Sequence, residues 1–121
     1  MSGQIIIDGI KCRARIGVSS QERAKYQSLE VSVQLHFPTE PAINTDSLDL
    51  SIDYETVVAL VQQEVATKEC ALLETMAAHV CVAVLRNPRI EKVDVEIQKF
   101  PASLEGQVRK VAVRVSRGNF S

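Results

Sequence analysis

The chain has 121 residues, with 14 Lys and Arg against 15 Asp and Glu for a formal charge of −1. It therefore lacks the basic footprint that phosphate-reading proteins carry, and nucleic acid is not an expected partner. Hydrophobic residues make up 45% and charged residues 24%, which excludes a disordered chain and fits a single domain spanning 1–121.

Residues 4–16 combine Ile5, Ile6, Ile7, Ile10 and Ile16 with charges, a β-branched bias that predicts a strand, kinked near Gly9. Gly17 opens a polar loop. In residues 29–37, Leu29, Val31, Val33, Leu35 and Phe37 alternate with Glu30, Ser32, Gln34 and His36, and strict period two means a half-buried strand. Pro38 and Pro41 end it. From about residue 53 to 68, Val57, Val58, Leu60, Val61 and Val65 form a stripe at helical spacing, with Ser51 or Asp53 as N-cap. A second helix, about 71–86, presents Leu72, Leu73, Met76, Ala77, Val80, Ala83 and Val84, and the short link makes the two helices antiparallel. Residues 90–98 alternate again, with Val93, Val95 and Ile97 inward. The last strand does likewise, with Val111, Val113 and Val115 inward.

The order ββααββ is an α+β class, with a four-stranded antiparallel sheet and both helices on its apolar face. Such a sheet has two open edges, which favour pairing with another chain. No apolar stretch approaches the roughly 18 residues that span a bilayer, and no leader-like segment opens the chain, so no membrane partner and a cytoplasmic location are expected. Cys12, Cys70 and Cys81 fit neither a zinc pattern nor a redox motif and read as free thiols of a reducing compartment. His36 and His79 have no partner at metal-ligand spacing, so no metal site is expected. The five glycines form no phosphate loop.

Chemistry is left to charged residues placed where the chain turns. Glu22 with Arg23 lies in the first loop, where an exposed pair contributes little to stability. Asp53-Tyr54 starts the first helix, Glu74 lies in the first turn of the second, and Lys99 closes the third strand beside Phe100-Pro101. Each alone reads as a cap, a packing residue, a dipole partner or a solubility residue.

Together they form a pattern. The strings IGVSSQER at 16–23 with Gln27 following, TDSLDLSIDY at 45–54, LLET at 72–75 and VEIQKFPA at 95–102 resemble dihydroneopterin aldolase, in order and spacing, over about residues 4 to 117. The resemblance implies a tunnelling fold whose subunits join their sheets into a closed barrel, a tetrameric ring stacked into an octamer. It implies a pterin substrate, 7,8-dihydroneopterin, cleaved by retro-aldol chemistry to 6-hydroxymethyl-7,8-dihydropterin and glycolaldehyde for folate synthesis, with no cofactor, metal or Schiff base.

Carried over residue by residue, the resemblance makes Glu74 the acceptor for the pterin amino and ring N–H groups, with the Leu73 backbone serving the pterin carbonyl. Tyr54 arrives from a neighbouring subunit to cover the pterin and move a proton, with Asp53 beside it as a further substrate-binding residue. Lys99 is the general base on the 2′-hydroxyl, with a lowered pKa expected from burial or a nearby positive group. Glu22 orients the side-chain hydroxyls. Phe100 departs from the family pattern, in which proline directly follows the lysine. The alternative within the family is dihydroneopterin triphosphate 2′-epimerase, which the LHFPTEPA stretch resembles, with Arg13, Arg15, Lys25 or Arg109 available for the triphosphate. A zinc-dependent relative of the fold would need three clustered histidines, and the chain has two. A ring-forming binding protein without turnover is the alternative of another class.

Overall fold

The structure, a computed structural model, describes residues 1–118. Five strands, β1 (Ser2–Ile16), β2 (Gln27–Pro38), β3 (Glu69–Cys70), β4 (Lys92–Lys99) and β5 (Val111–Gly118), form one sheet in the order β3-β1-β2-β4-β5. The expected four-stranded antiparallel sheet is thus a five-stranded mixed one, because β3 joins β1 in parallel through Arg15 with Glu69 and Ile16 with Cys70. Two residues are too few to show a period, so nothing in the hydrophobic pattern announces β3. The β1–β2 register shifts between Ile7 and Ile10, and Gly9 sits there at φ 72, so the expected kink is present.

Two short helices, α1 (Ser20–Arg23) and α2 (Glu40–Thr45), precede the two long ones, α3 (Tyr54–Thr67) and α4 (Leu73–Val84). Single 3₁₀ turns occupy Leu48–Leu50 and Ala102–Leu104. Val57, Val61 and Val65 of α3 and Met76, Ala77, Val80, Cys81 and Val84 of α4 share one core with the inward residues of β1, β2 and β4. No polar or charged residue is buried among the described residues, so the core is held by apolar burial, at about 1.5–3 kcal/mol per large side chain.

β5 departs from expectation. Val111 is 41% exposed and Val113 and Val115 are only half-buried, because β5 is the sheet's outer strand, with no further strand beyond it among the described residues.

The topology fixes two ends. β2 leaves the loop after β1 and runs away from it, α3 runs back, α4 runs out again, and β4 returns with Lys99 paired to Leu29 near the start of β2. The ends of β1 and β4 and the starts of β2 and α4 therefore meet at one end of the sheet, while the start of α3 lies at the other.

Candidate active site

Lys99 is the last residue of β4 and continues the inward series Val93, Val95, Ile97. Its partner in register, Leu29, is buried, so the lysine points to the helix side of the sheet just where the core stops. Its side chain is 17% exposed. Phe100 follows the strand and belongs to the loop, so the Lys99–Leu29 pairing is intact.

Glu22 meets this lysine, with Lys99 Nζ 3.6 Å from Glu22 Oε2. The glutamate is held by a capping box on α1: the Glu22 N–H donates to Ser19 Oγ at 3.1 Å, and the Ser19 N–H donates to Glu22 Oε1 at 3.4 Å. The Ser19 N–H above all, then the Lys99 charge and the Ser19 hydroxyl, hold the carboxyl below the ordinary glutamate value, against an opposing effect of partial desolvation. Of the two surroundings expected for Lys99, burial or a positive neighbour, the side chain is largely buried, and the charged group beside it is this carboxylate.

The loop is pinned by residues that do no chemistry. Gly17 sits at φ 151, and a Cβ placed on it would lie 2.4 Å from Glu22 Cβ and 2.8 Å from its carboxyl carbon. Glycine at 17 is thus what lets the glutamate side chain occupy its place. Gln27 Nε2 donates to the Ile16 carbonyl at 2.5 Å and the Glu22 carbonyl at 3.3 Å. Arg23 does not pair with Glu22 as the sequence suggested. Its guanidinium donates to the Gly17 and Val18 carbonyls at 2.8 and 2.9 Å and pairs with Glu69 at 3.4 Å. Ser19 carried a readable signal, the S-x-x-E spacing to Glu22. Gly17 carried none, since its role depends on a side chain five positions away.

The same loop leads to the start of α4. The Gly17 N–H donates to the Cys70 carbonyl at 3.2 Å, and α4 begins three residues later. Its N-cap, Leu72, has no capping side chain, so first-turn N–H groups, that of Leu73 included, keep donors free for a ligand. Leu73 is half-buried against the core and Glu74 is exposed in that first turn. Four of the expected residues, Glu22, Leu73, Glu74 and Lys99, therefore gather at one end.

Tyr54 and Asp53 do not join them. Asp53 caps α3 by accepting from the Glu55 N–H at 3.0 Å, and Tyr54 is 58% exposed beside it. The 14 residues of α3 put Tyr54 about 20 Å from the helix end nearest Glu74, at 1.5 Å per residue. The described residues hold no group of three or more His, Cys, Asp or Glu placed to bind a metal, and no helix among them is long and apolar enough to cross a membrane. His36 pairs across strands with Asp94 at 2.6 Å, and the three cysteines are buried and free.

Residues 5–116 match the family model described as FolB, dihydroneopterin aldolase. The dihydroneopterin aldolase of Streptomyces coelicolor is 30% identical over 118 residues, covering 94% of this chain and 96% of its own. The dihydroneopterin triphosphate 2′-epimerase of Pseudomonas aeruginosa is 23% identical over 79% of this chain and 78% of its own. Among solved structures, Escherichia coli dihydroneopterin aldolase in complex with neopterin superposes with a TM-score of 0.86 at 22% identity, covering 96% of this chain and 99% of that one.

Proposed function

The chain belongs to the dihydroneopterin aldolase family, and from that premise we propose that it cleaves 7,8-dihydroneopterin into 6-hydroxymethyl-7,8-dihydropterin and glycolaldehyde, a cytoplasmic step towards folate. The observation that carries the reading is the Lys99–Glu22 pair, 3.6 Å apart and joined through the Gly17 loop to the open first turn of α4. A base and an orienting carboxylate then stand at the same end of the sheet as a recognition edge.

Glu74 accepts from the pterin 2-amino and ring N–H groups, a charge-assisted and geometrically selective contact. The Leu73 N–H donates to the pterin carbonyl. Lys99 takes the proton of the 2′-hydroxyl, directly or through a water. The C1′–C2′ bond then breaks, C2′ leaves as the aldehyde carbon of glycolaldehyde, and the electron pair passes into the ring imine. Glu22 holds the side-chain hydroxyls in line for this and relays protons. Protonation at C1′, with Tyr54 as donor, gives the product.

Tyr54 reaches this end only from another chain, since its own helix holds it about 20 Å away. The open outer side of β5, with Val111 41% exposed, supports sheet-to-sheet pairing of subunits into a ring, with the tetramer stacked as an octamer. The site then lies between two subunits, with Asp53 and Tyr54 supplied by the second.

The epimerase is the second reading, favoured by relatives of that name. It uses the same cleaved intermediate and rejoins the fragments on the opposite face of the aldehyde. Product analysis separates the two. Purified protein without added metal is incubated with 7,8-dihydroneopterin and, separately, its triphosphate. Glycolaldehyde from the first is the expected result. A C2′ epimer formed from the triphosphate alone would make the chain an epimerase, and no turnover of either would leave a binding protein.

A further inference from the structure

The turn that carries Glu22 has no apolar anchor of its own. None of the four residues of α1 is buried, so polar contacts set where the carboxylate stands. The Ser19 capping box and the Gln27 amide, which donates to the Ile16 and Glu22 carbonyls, stay close to the turn. Arg23 reaches further.

Arg23 closes α1 directly after Glu22, and its side chain is 24% exposed. Its Nη1 donates to the Gly17 and Val18 carbonyls at 2.8 and 2.9 Å, while Nε lies 3.4 Å from Glu69 Oε1. One planar group thus spans the turn and β3, a geometry that the single ammonium of a lysine does not reproduce. The next residue of β3, Cys70, accepts from the Gly17 N–H through its carbonyl at 3.2 Å, and α4 opens three residues later at Leu73. The tie therefore runs from the residue beside Glu22 to the segment that delivers Leu73 and Glu74.

Glu69 has a second cation on its own ladder. Arg15 is its partner in register, and Arg15 Nε is buried with no hydrogen-bond partner among the described residues. The carboxylate is nonetheless turned to Arg23. A buried donor left unmet beside an acceptor that faces elsewhere is a local conflict of the kind found at functional sites.

We propose that Arg23 and Glu69 are a positioning pair, which holds the carboxylate at Lys99 in fixed relation to the chain entering α4. Neither residue acts on substrate directly: Arg23 works through Glu22, and Glu69 works through Arg23. A partly exposed ion pair contributes little to stability, but a displacement of about 1 Å near reacting groups lowers a rate about 10²-fold. The effect on turnover rests on the function proposed above, whereas the tie itself does not.

The test is a double-mutant cycle on the full chain, with Glu69→Gln, Arg23→Met and the two combined, and Arg23→Lys as the conservative variant. Each is read by kcat with 7,8-dihydroneopterin, by NMR titration of the Glu22 side chain, and by the denaturant midpoint. Each single variant of the cycle is expected to lower kcat about tenfold or more with the denaturant midpoint nearly unmoved. Each should also bring the Glu22 carboxyl, held low by Ser19 and Lys99, back towards its ordinary value. In Glu69→Gln the sign is decisive, because removing a negative charge would by itself lower that value further. The combined variant should lose no more than the worse single one, since either change breaks the same tie. Arg23→Lys keeps the charge without the fork and should recover part of the loss. Single variants whose kcat and Glu22 titration match the parent overturn the proposal, as do losses that add in the combined variant or that follow the denaturant midpoint. A parent that turns over no dihydroneopterin overturns the function proposed above, and an upward Glu22 shift in Glu69→Gln then still upholds the tie.

Discussion

The two ends of the sheet do different work. The end where β1, β2, β4 and α4 meet holds Glu22, Leu73, Glu74 and Lys99, with Gly17, Ser19, Gln27 and Arg23 locking the loop among them. The opposite end, where α3 starts, holds Tyr54 beside an Asp53 occupied as a cap. One end has a charged pair, free helix N–H groups and a pinned loop. The other offers an exposed aromatic, Tyr54, about 20 Å along α3 from the loop end. Under the proposed assembly each copy would contribute to two sites, its loop end to one and its Tyr54 to a neighbour's.

Substitutions at the loop end test that division. Lys99→Ala should produce the largest loss, about 10²–10⁴-fold in kcat, while pterin binding measured by fluorescence persists. A proportional loss of binding would make the lysine an anchor. Glu74→Gln comes next, with affinity for the pterin down about 10–100-fold, as expected for lost charge-assisted hydrogen bonds, and KM affected more than kcat. Gly17→Ala is smaller in rate and larger in stability. Its Cβ collides with Glu22 and its φ is one that only glycine tolerates cheaply, so about 1–3 kcal/mol of stability should be lost, read by denaturant unfolding. Smallest is a pH effect. The Glu22 carboxyl is held below its ordinary value, so its contribution to stability is present above the unfolded glutamate pKa and lost as pH falls through the lowered folded one. NMR titration of the Glu22 side chain should show that depression, and Lys99→Ala should lessen it without abolishing it, because the Ser19 N–H remains.

Much of this was legible in the chain itself. Period-two alternation located β2 and β4 to within two residues, and the short link between the helices already implied that Tyr54 and Glu74 lie at opposite ends. The four motifs carried the family, and they carried the residues that share the Lys99 end of the sheet. What escaped was non-local. β3 is two residues recruited by an edge of β1, and the Arg23–Glu69 pair depends on that recruitment. The exposure of Val111 follows from its place at the outside of the sheet, which a repeat of alternating valines does not reveal. Placing Phe100 after the strand rather than within it required the Lys99–Leu29 register.

The central claim is that each site takes Lys99 from one chain and Tyr54 from another. It is tested most directly by mixing Lys99→Ala and Tyr54→Ala chains, each nearly inactive alone, after joint unfolding and refolding. Shared sites predict recovery towards about a quarter of parental activity, the fraction of randomly assembled symmetric interfaces that hold both intact residues. Activity no greater than the average of the two separate variants would contradict the account and confine the chemistry to a single chain.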